Sequence, residues 1–145
     1  MTKTVIMSIT IQVGNGKNEK IKMSITSDQF ETELKELTIK VVQKTGEMIL
    51  SEYDRRLRQE EYKEGRVIRT EERTYELQNG TIKYLRKTIR MPDGKTYKPL
   101  DELLGFARYS RRSQQAKEQI CALATDTTYR KTAILDSHIT GRAIS

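Results

Sequence analysis

Between residues 4 and 13 the chain alternates: Val5, Met7, Ile9, Ile11 and Val13 fall at every second position, with Ile6, Ser8, Thr10 and Gln12 between them. A period of two marks a strand with one apolar face. Residues 21–27 (IKMSITS) have the same β-prone character, and the polar residues 14–18 separate the two runs, so a short β-hairpin is predicted. From Ser27 the period changes. Phe30, Leu34, Leu37 and Val41 recur at helical spacing, and Ile49, Tyr53 and Leu57 continue the stripe after Gly46 with a shift in phase. This predicts a long helix over residues 29–63, capped by Ser27 or Asp28, with Glu31 and Glu33 at the positive end of its dipole and Gly65 closing it. Beyond Ile49 the run EYDRRLRQEEYKEG reads as a solvated helix end.

The second part begins with two β-prone runs, residues 66–77 and 81–90, on either side of Asn79-Gly80. That dipeptide fits a type I′ turn, whose two central residues take positive φ. The second strand interleaves Lys83, Arg86, Lys87 and Arg90 with Ile82, Tyr84, Leu85 and Ile89. Pro92-Asp93-Gly94 makes another turn, Lys95 to Lys98 return as a third short strand that Pro99 ends, and Asp101 caps one helical turn that Gly105 terminates. Two helices follow, over residues 113–125 and 127–137. Ser113 caps the first, whose inward face is Ala116, Ile120, Leu123 and Ala124. Asp126 or Thr127 opens the second, with Tyr129, Ala133 and Ile134 facing in and Arg130 and Lys131 facing out. A connection through Gly141 then leads to Ser145, an N-cap residue with which a third helix would start. The fold class expected is α+β. It divides into residues 1–65 (hairpin and long amphipathic helix), 66–100 (basic β-hairpin region) and 101–145 (an incomplete helix-turn-helix).

Composition narrows the function. The 145 residues are 35% hydrophobic and 32% charged, polar for a globular chain but not so depleted as to make disorder the default. No apolar run approaches the roughly 20 residues needed to span a bilayer, and the N-terminus has no leader-like pattern, so a cytoplasmic protein without membrane contact is expected. The single cysteine, Cys121, sits in an apolar helical pattern and is expected to be buried and reduced. The formal charge of +7 is uneven: residues 1–65 hold 11 Lys+Arg and 11 Asp+Glu, residues 66–145 hold 16 and 9, so all of the excess lies in the second part. A localised positive field favours phosphate contact, which makes nucleic acid the leading partner. An edge hairpin protected from aggregation by its charges is the plainer alternative for residues 66–90.

Candidate catalytic groups are sparse. Asp93, Asp101, Glu102, Glu118, Asp126 and Asp136 are better read as turn or cap residues than as metal ligands, and His138, the only histidine, as a turn residue rather than a general base. Gly14-Asn15-Gly16 lacks the helix and the lysine-serine pair of a phosphate loop. No catalytic residue, metal or cofactor is expected, and no enzyme acting alone.

The segment from about residue 80 to Ser145 resembles the N-terminal region of the ISLre-type insertion-sequence transposases of Gram-positive bacteria. The likeness rests on LDELLG at 100–105, ARYSRRS at 107–113 and TYRKTAILDSHITGRAIS at 128–145, with EYDRRLR at 52–58 similar to the family's preceding segment. It implies a serine at the start of a recognition helix, matched by Ser145, and then a metal-dependent catalytic domain that nothing in these residues matches. The expected function is therefore the DNA-binding portion of such a transposase without its catalytic domain, its partner being double-stranded DNA at the element ends. Arg108, Arg111, Arg112, Arg130, Lys131 and Arg142 are the expected phosphate contacts together with Ser145. Lys83, Arg86, Lys87 and Arg90 form a second expected patch. The alternative is a non-catalytic module that forms a homodimer through residues 29–63 and docks an acidic protein.

Overall fold

The computed structural model describes residues 1–14, 18–78, 80–105, 111–126 and 129–140. Strands β1 (Thr4–Gln12) and β2 (Asn18–Thr26) form the first antiparallel hairpin, in a register running from Thr4 opposite Thr26 to Gln12 opposite Asn18. Met7, Ile9 and Ile11 are half-buried, as are Ile21, Met23 and Ile25 of β2, with Met7 opposite Met23 and Ile9 opposite Ile21, while Ile6, Ser8 and Thr10 are exposed. The hairpin's apolar face is laid on the helix that follows, and none of its residues is fully buried.

Helix α1 (Phe30–Glu60) enters through a 3-10 turn at Ser27–Gln29. Neither Ser27 nor Asp28 caps it, contrary to expectation. Ser27 instead prolongs the hairpin: its N–H donates to the Lys3 carbonyl at 2.8 Å and its hydroxyl accepts from the Lys3 N–H at 3.0 Å. Asp28 accepts from the Thr2 hydroxyl. Glu33 ties the helix start to the strand by accepting the Thr26 N–H at 2.7 Å and the Thr26 hydroxyl at 3.1 Å.

The buried stripe of α1 is Leu37, Leu50, Asp54 and Leu57. Ile49 and Tyr53, expected inside, are exposed, as are Phe30 and Leu34. The reason lies at Gly46, where strand β4 (Gly80–Arg90) crosses the helix so closely that a Cβ would stand 2.8 Å from Ile82 Cγ2. This approach sets the rotation of the helix and brings Leu50, not Ile49, inward. Leu57 is buried as expected, and the stretch expected to be solvated also carries Asp54 into the interior. Helix α1 ends at Glu60, where the N–H groups of Glu61 and Tyr62 both reach the Leu57 carbonyl, at 3.0 and 2.9 Å. Gly65 does not terminate it. It lies beneath Ile89 and Met91, where a Cβ would be 2.9 Å from Met91 Sδ, so close packing is what requires a glycine there.

The second sheet has the order β3-β4-β5, with β3 at Arg66–Leu77, β4 at Gly80–Arg90 and β5 at Thr96–Tyr97. Leu77 pairs with Gly80, so Gly80 belongs to the ladder and is not the second residue of the expected turn. Asn79 lies outside the described residues. Gly80 is already in the ladder at φ +146, a conformation that favours glycine, and the Thr140 carbonyl lies beside it, 3.6 Å from where a Cβ would be. A bulge at Ile68 shifts the register and sets Arg66 opposite Arg90. The turn before β5 is held by the Lys95 N–H donating to Asp93 Oδ1 at 2.9 Å. Pro99 opens helix α2 (Pro99–Leu104) rather than ending a strand, and Gly105 closes that helix at φ +68. Asp101 is thus inside α2 and does not cap it.

Leu50, Leu57, Tyr75, Ile82, Tyr84 and Leu100 form the core between α1, α2 and the sheet. Each such side chain contributes on the order of 1.5–3 kcal/mol by leaving water. The core thereby joins residues before and after Gly65. Helices α3 (Gln114–Asp126) and α4 (Tyr129–Thr140) pack on each other. The approach to α3 is stitched to the end of β3: the Glu76 N–H donates to the Arg111 carbonyl and the Ser113 N–H to the Glu76 carbonyl, both at 2.7 Å. Ser113 caps α3 as expected, its hydroxyl accepting the Ala116 N–H at 3.1 Å. Ala116 is fully buried and Ile120 and Leu123 half-buried, but Ala124 is exposed. Cys121, expected to be buried, is exposed as well, because it lies one residue beyond Ile120 on the far side of the helix.

Helix α4 is turned against its hydrophobicity. It buries Thr132, Asp136 and Thr140, spaced four apart, and exposes Ile134, Leu135 and Ile139. Ile134 was expected inside. Its last turn lies beside Gly80, and the side chains it presents inward are compact and polar. His138 is an exposed residue of this helix, not of a turn.

Gly46→Val tests the crossing on which the core is built. The added methyl groups collide with Ile82, and the expected loss is about 1–3 kcal/mol in urea unfolding, as for overpacking elsewhere. Unchanged or increased stability would show that α1 and β4 do not meet there.

Candidate nucleic-acid interface

The structure separates the nominated cations by what faces them. On β4, Lys83 is exposed, and its backbone N–H meets Glu47 Oε1 of α1 at 3.4 Å. Arg86 is enclosed, with NH2 3.2 Å from Glu71 and NH1 3.4 Å from Asp101. Lys87 reaches across to α1, its Nζ 2.7 Å from Asp54 Oδ2. Arg90 is exposed at the far end of the strand. Arg86 and Lys87 thus answer carboxylates within the fold, while Lys83 and Arg90 have no ion-pair partner among the described residues.

The carboxylates beneath this strand are held by tyrosines as well. The Tyr84 hydroxyl donates to Asp101 Oδ1 at 2.9 Å. Burial first, and then the hydrogen bond and charge of Asp101, push its pKa well above the ordinary phenol value, so it remains a donor. The Tyr62 hydroxyl donates to Glu102 Oε2 at 3.2 Å. It is pushed up to about 12 by burial and then by Glu102, and its ring tilts against that of Tyr97 at a centroid distance of 5.8 Å. Asp101 and Glu102 are therefore engaged with Tyr84, Arg86 and Tyr62, and no group of three or more metal-ligating side chains occurs among the described residues.

On the exposed side of α1, hydrogen bonds from Arg55 and then Arg56 hold Glu52 down to about 2, against some unfavourable desolvation. A cleft of about 480 Å³ runs between α1 and β4 past Leu50, Tyr84 and Leu100, with Arg55 and Arg58 along it and the Asp54–Lys87 pair within.

At the other end of the sheet, Arg111 is exposed while its carbonyl is fixed by Glu76. Arg112 turns back, its Nε 2.5 Å from Glu76 Oε2, and its carbonyl accepts the Tyr75 hydroxyl at 3.1 Å. Arg130 and Lys131 are exposed in the first turn of α4. Arg108, Arg142 and Ser145 lie outside the described residues. Helix α3 separates Arg111 from Arg130 by about 20 Å at 1.5 Å per residue.

Arg66 was not anticipated. The bulge at Ile68 sets it directly across from Arg90, both exposed and neither ion-paired among the described residues. Like charges opposite one another on a sheet cost stability unless an anion is shared between them. Only the pairing register reveals this, and the expected turn at Asn79-Gly80 would have set Arg69 there instead. Comparison with protein-family models, with curated proteins and with solved structures finds no match to this chain.

The division of β4 into inward and outward cations predicts opposite effects of two substitutions. Lys87→Ala leaves Asp54 without its partner in a largely buried position and is expected to cost about 1–3 kcal/mol, reduced from a fully buried pair because Lys87 retains some solvent contact. Lys83→Ala is expected to stay within about 0.5 kcal/mol of the wild type. Equal effects in urea unfolding would remove the distinction.

Proposed function

We propose that this chain is a DNA-binding unit, the portion of an ISLre-type insertion-sequence transposase that holds the element ends without carrying out strand chemistry. The observation that carries the reading is the fate of the charges in residues 66–140. Glu71, Glu76 and Asp101 are occupied by Arg86, Arg112 and Tyr84 inside the fold, while Arg66, Lys83, Arg90, Arg111 and Arg130 stand outside. The net positive charge of this half is thereby displayed on the surface, which is what attraction to a phosphate backbone requires. The opposed Arg66 and Arg90 support the same reading. Helices α3 and α4, joined by two residues and fastened to β3 through Glu76, would hold Arg111 and Arg130 at a set separation. Phosphate contacts of this kind position a protein and read no sequence, so the proposed binding is to duplex DNA of any sequence. A cytoplasmic location accompanies the proposal; no helix among the described residues is long and apolar enough to cross a membrane.

One observation favours a second reading, docking of an acidic protein. The exposed Ile134, Leu135 and Ile139 lie on the same helix as Arg130, and a protein partner would cover them whereas a phosphate backbone would not.

Fluorescence anisotropy with a labelled duplex separates the two. Binding is expected at about 50 mM salt, with log affinity falling against log salt at a slope of about −0.9 for each phosphate neutralised, and Arg90→Ala is expected to make that slope shallower by about one. No binding at low salt, or binding insensitive to salt, would contradict the DNA reading.

A further inference from the structure

The first hairpin has two outer edges of different chemistry. Strand β2 carries Glu19, Lys20 and Lys22, whereas β1 reads TVIMSITIQ, nine residues without charge, proline or glycine. The Ser27 N–H bonds the Lys3 carbonyl, which continues the register of β1 with β2 by one pair and marks Lys3 and Ser27 as hydrogen-bonded partners. Such pairs recur at every second residue of an antiparallel ladder. The backbone groups of Val5, Met7, Ile9 and Ile11 therefore turn toward β2, and those of Thr4, Ile6, Ser8, Thr10 and Gln12 turn outward. No backbone partner for the outward set occurs among the described residues.

Natural edge strands are usually blunted by lysine, proline, a bulge or a covering element. The edge strand β3 shows these devices, with Arg66, Arg69, Glu71, Glu72 and Arg73, the bulge at Ile68, and the approach to α3 bonded to Glu76. Strand β1 has none of them, and its Val5 and Ile6 are 65% and 76% exposed.

We propose that β1 is a self-association edge, on which a second copy of this chain pairs β1 to β1, antiparallel about a two-fold axis at Ser8, to give a continuous sheet of order β2-β1-β1-β2. That axis pairs every outward residue: Ser8 with its own counterpart, Ile6 with the second copy's Thr10, and Thr4 with the second copy's Gln12. Five residue pairs exchanging two bonds each give about ten hydrogen bonds, the number typical of a stable interface. On the other face Val5 meets the second copy's Ile11 and Met7 its Ile9, apolar cross-strand pairs of the kind that stabilise sheets.

Charge selects the occupant. A chain of net charge +7 resists meeting itself unless the contact is neutral. Here it is neutral, and the two Lys3 side chains fall at opposite ends of the pairing, about 33 Å apart, several Debye lengths at physiological salt. Pairing through β2 would instead bring Lys20 and Lys22 of both copies together. An acidic peptide or a nucleic acid finds no cation along β1.

The proposal is independent of the DNA reading and is tested on the intact chain. Sedimentation equilibrium over a hundredfold concentration range is expected to show a monomer-to-dimer transition. Amide hydrogen exchange at the high end is expected to protect Ile6, Ser8 and Thr10, and dilution to abolish their protection while Val5, Met7 and Ile9 keep theirs. Ser8→Pro removes only an outward donor, which an edge position tolerates, and is expected to lose the dimer with the hairpin retained. A chain that stays monomeric, a dimer in which Ile6, Ser8 and Thr10 exchange freely, or a folded Ser8→Pro variant that still dimerises would each overturn the proposal. The exchange pattern of the wild type decides the matter even if Ser8→Pro fails to fold.

Discussion

The approach of α1 to β4 at Gly46 is the constraint on which the other packing depends. With no side chain at that position, Ile82 comes against the helix backbone, and this one contact sets how α1 is rotated over the sheet. The rotation brings Leu50 and Leu57 into the core with Ile82, Tyr84 and Leu100. It also carries Asp54, a residue of a densely charged stretch, into a largely buried position, where the fold supplies Lys87 from β4 as its partner at 2.7 Å. A charge buried in this way is tolerable only when paired, so the lysine is fixed by the same crossing. Strand β4, central in its sheet, then presents Tyr84 and Arg86 to Asp101 of α2.

From this packing follows the distribution of charge on the surface. Four carboxylates of the second half, Glu71, Glu76, Asp101 and Glu102, meet Arg86, Arg112, Tyr84 and Tyr62. Arg66, Lys83, Arg90, Arg111 and Arg130 remain outside without an ion-pair partner among the described residues, beside exposed carboxylates such as Glu72 and Glu118. Basic composition is therefore a poor guide to the individual contacts: of four cations on one strand, two hold the fold together and two are available to a ligand.

The elements themselves were legible because each has a local cause. The alternation of residues 4–13 marked β1, the helical spacing of apolar residues marked α1, and Ser113 marked the start of α3, all by interactions within a few residues. The α+β class follows from them. What was not legible depends on contacts distant in sequence. Ser27 fails as a cap because Lys3 engages it across the hairpin, and Leu50 and Asp54 take the inward places expected of Ile49 and Tyr53 where β4 crosses at Gly46. Ile134 and Cys121 face outward because the surfaces that α3 and α4 cover are made by other parts of the chain. The candidate interface shows the same limit: Lys83, Arg90, Arg111 and Arg130 are exposed as expected, but the engagement of Arg86 and Lys87 and the opposition of Arg66 to Arg90 require the register, which the Leu77–Gly80 pairing and the bulge at Ile68 together define.

The proposed DNA binding requires that the arginines of the second half divide into those that hold the fold and those that meet phosphate. It is tested most directly by following the arginine side-chain Nε–H signals by NMR while duplex DNA is added at low salt. The signals of Arg66, Arg90, Arg111 and Arg130 are expected to shift with added DNA while that of Arg86 stays in place. A shift at Arg86 as large as theirs, or no shift at any of the four, would contradict it.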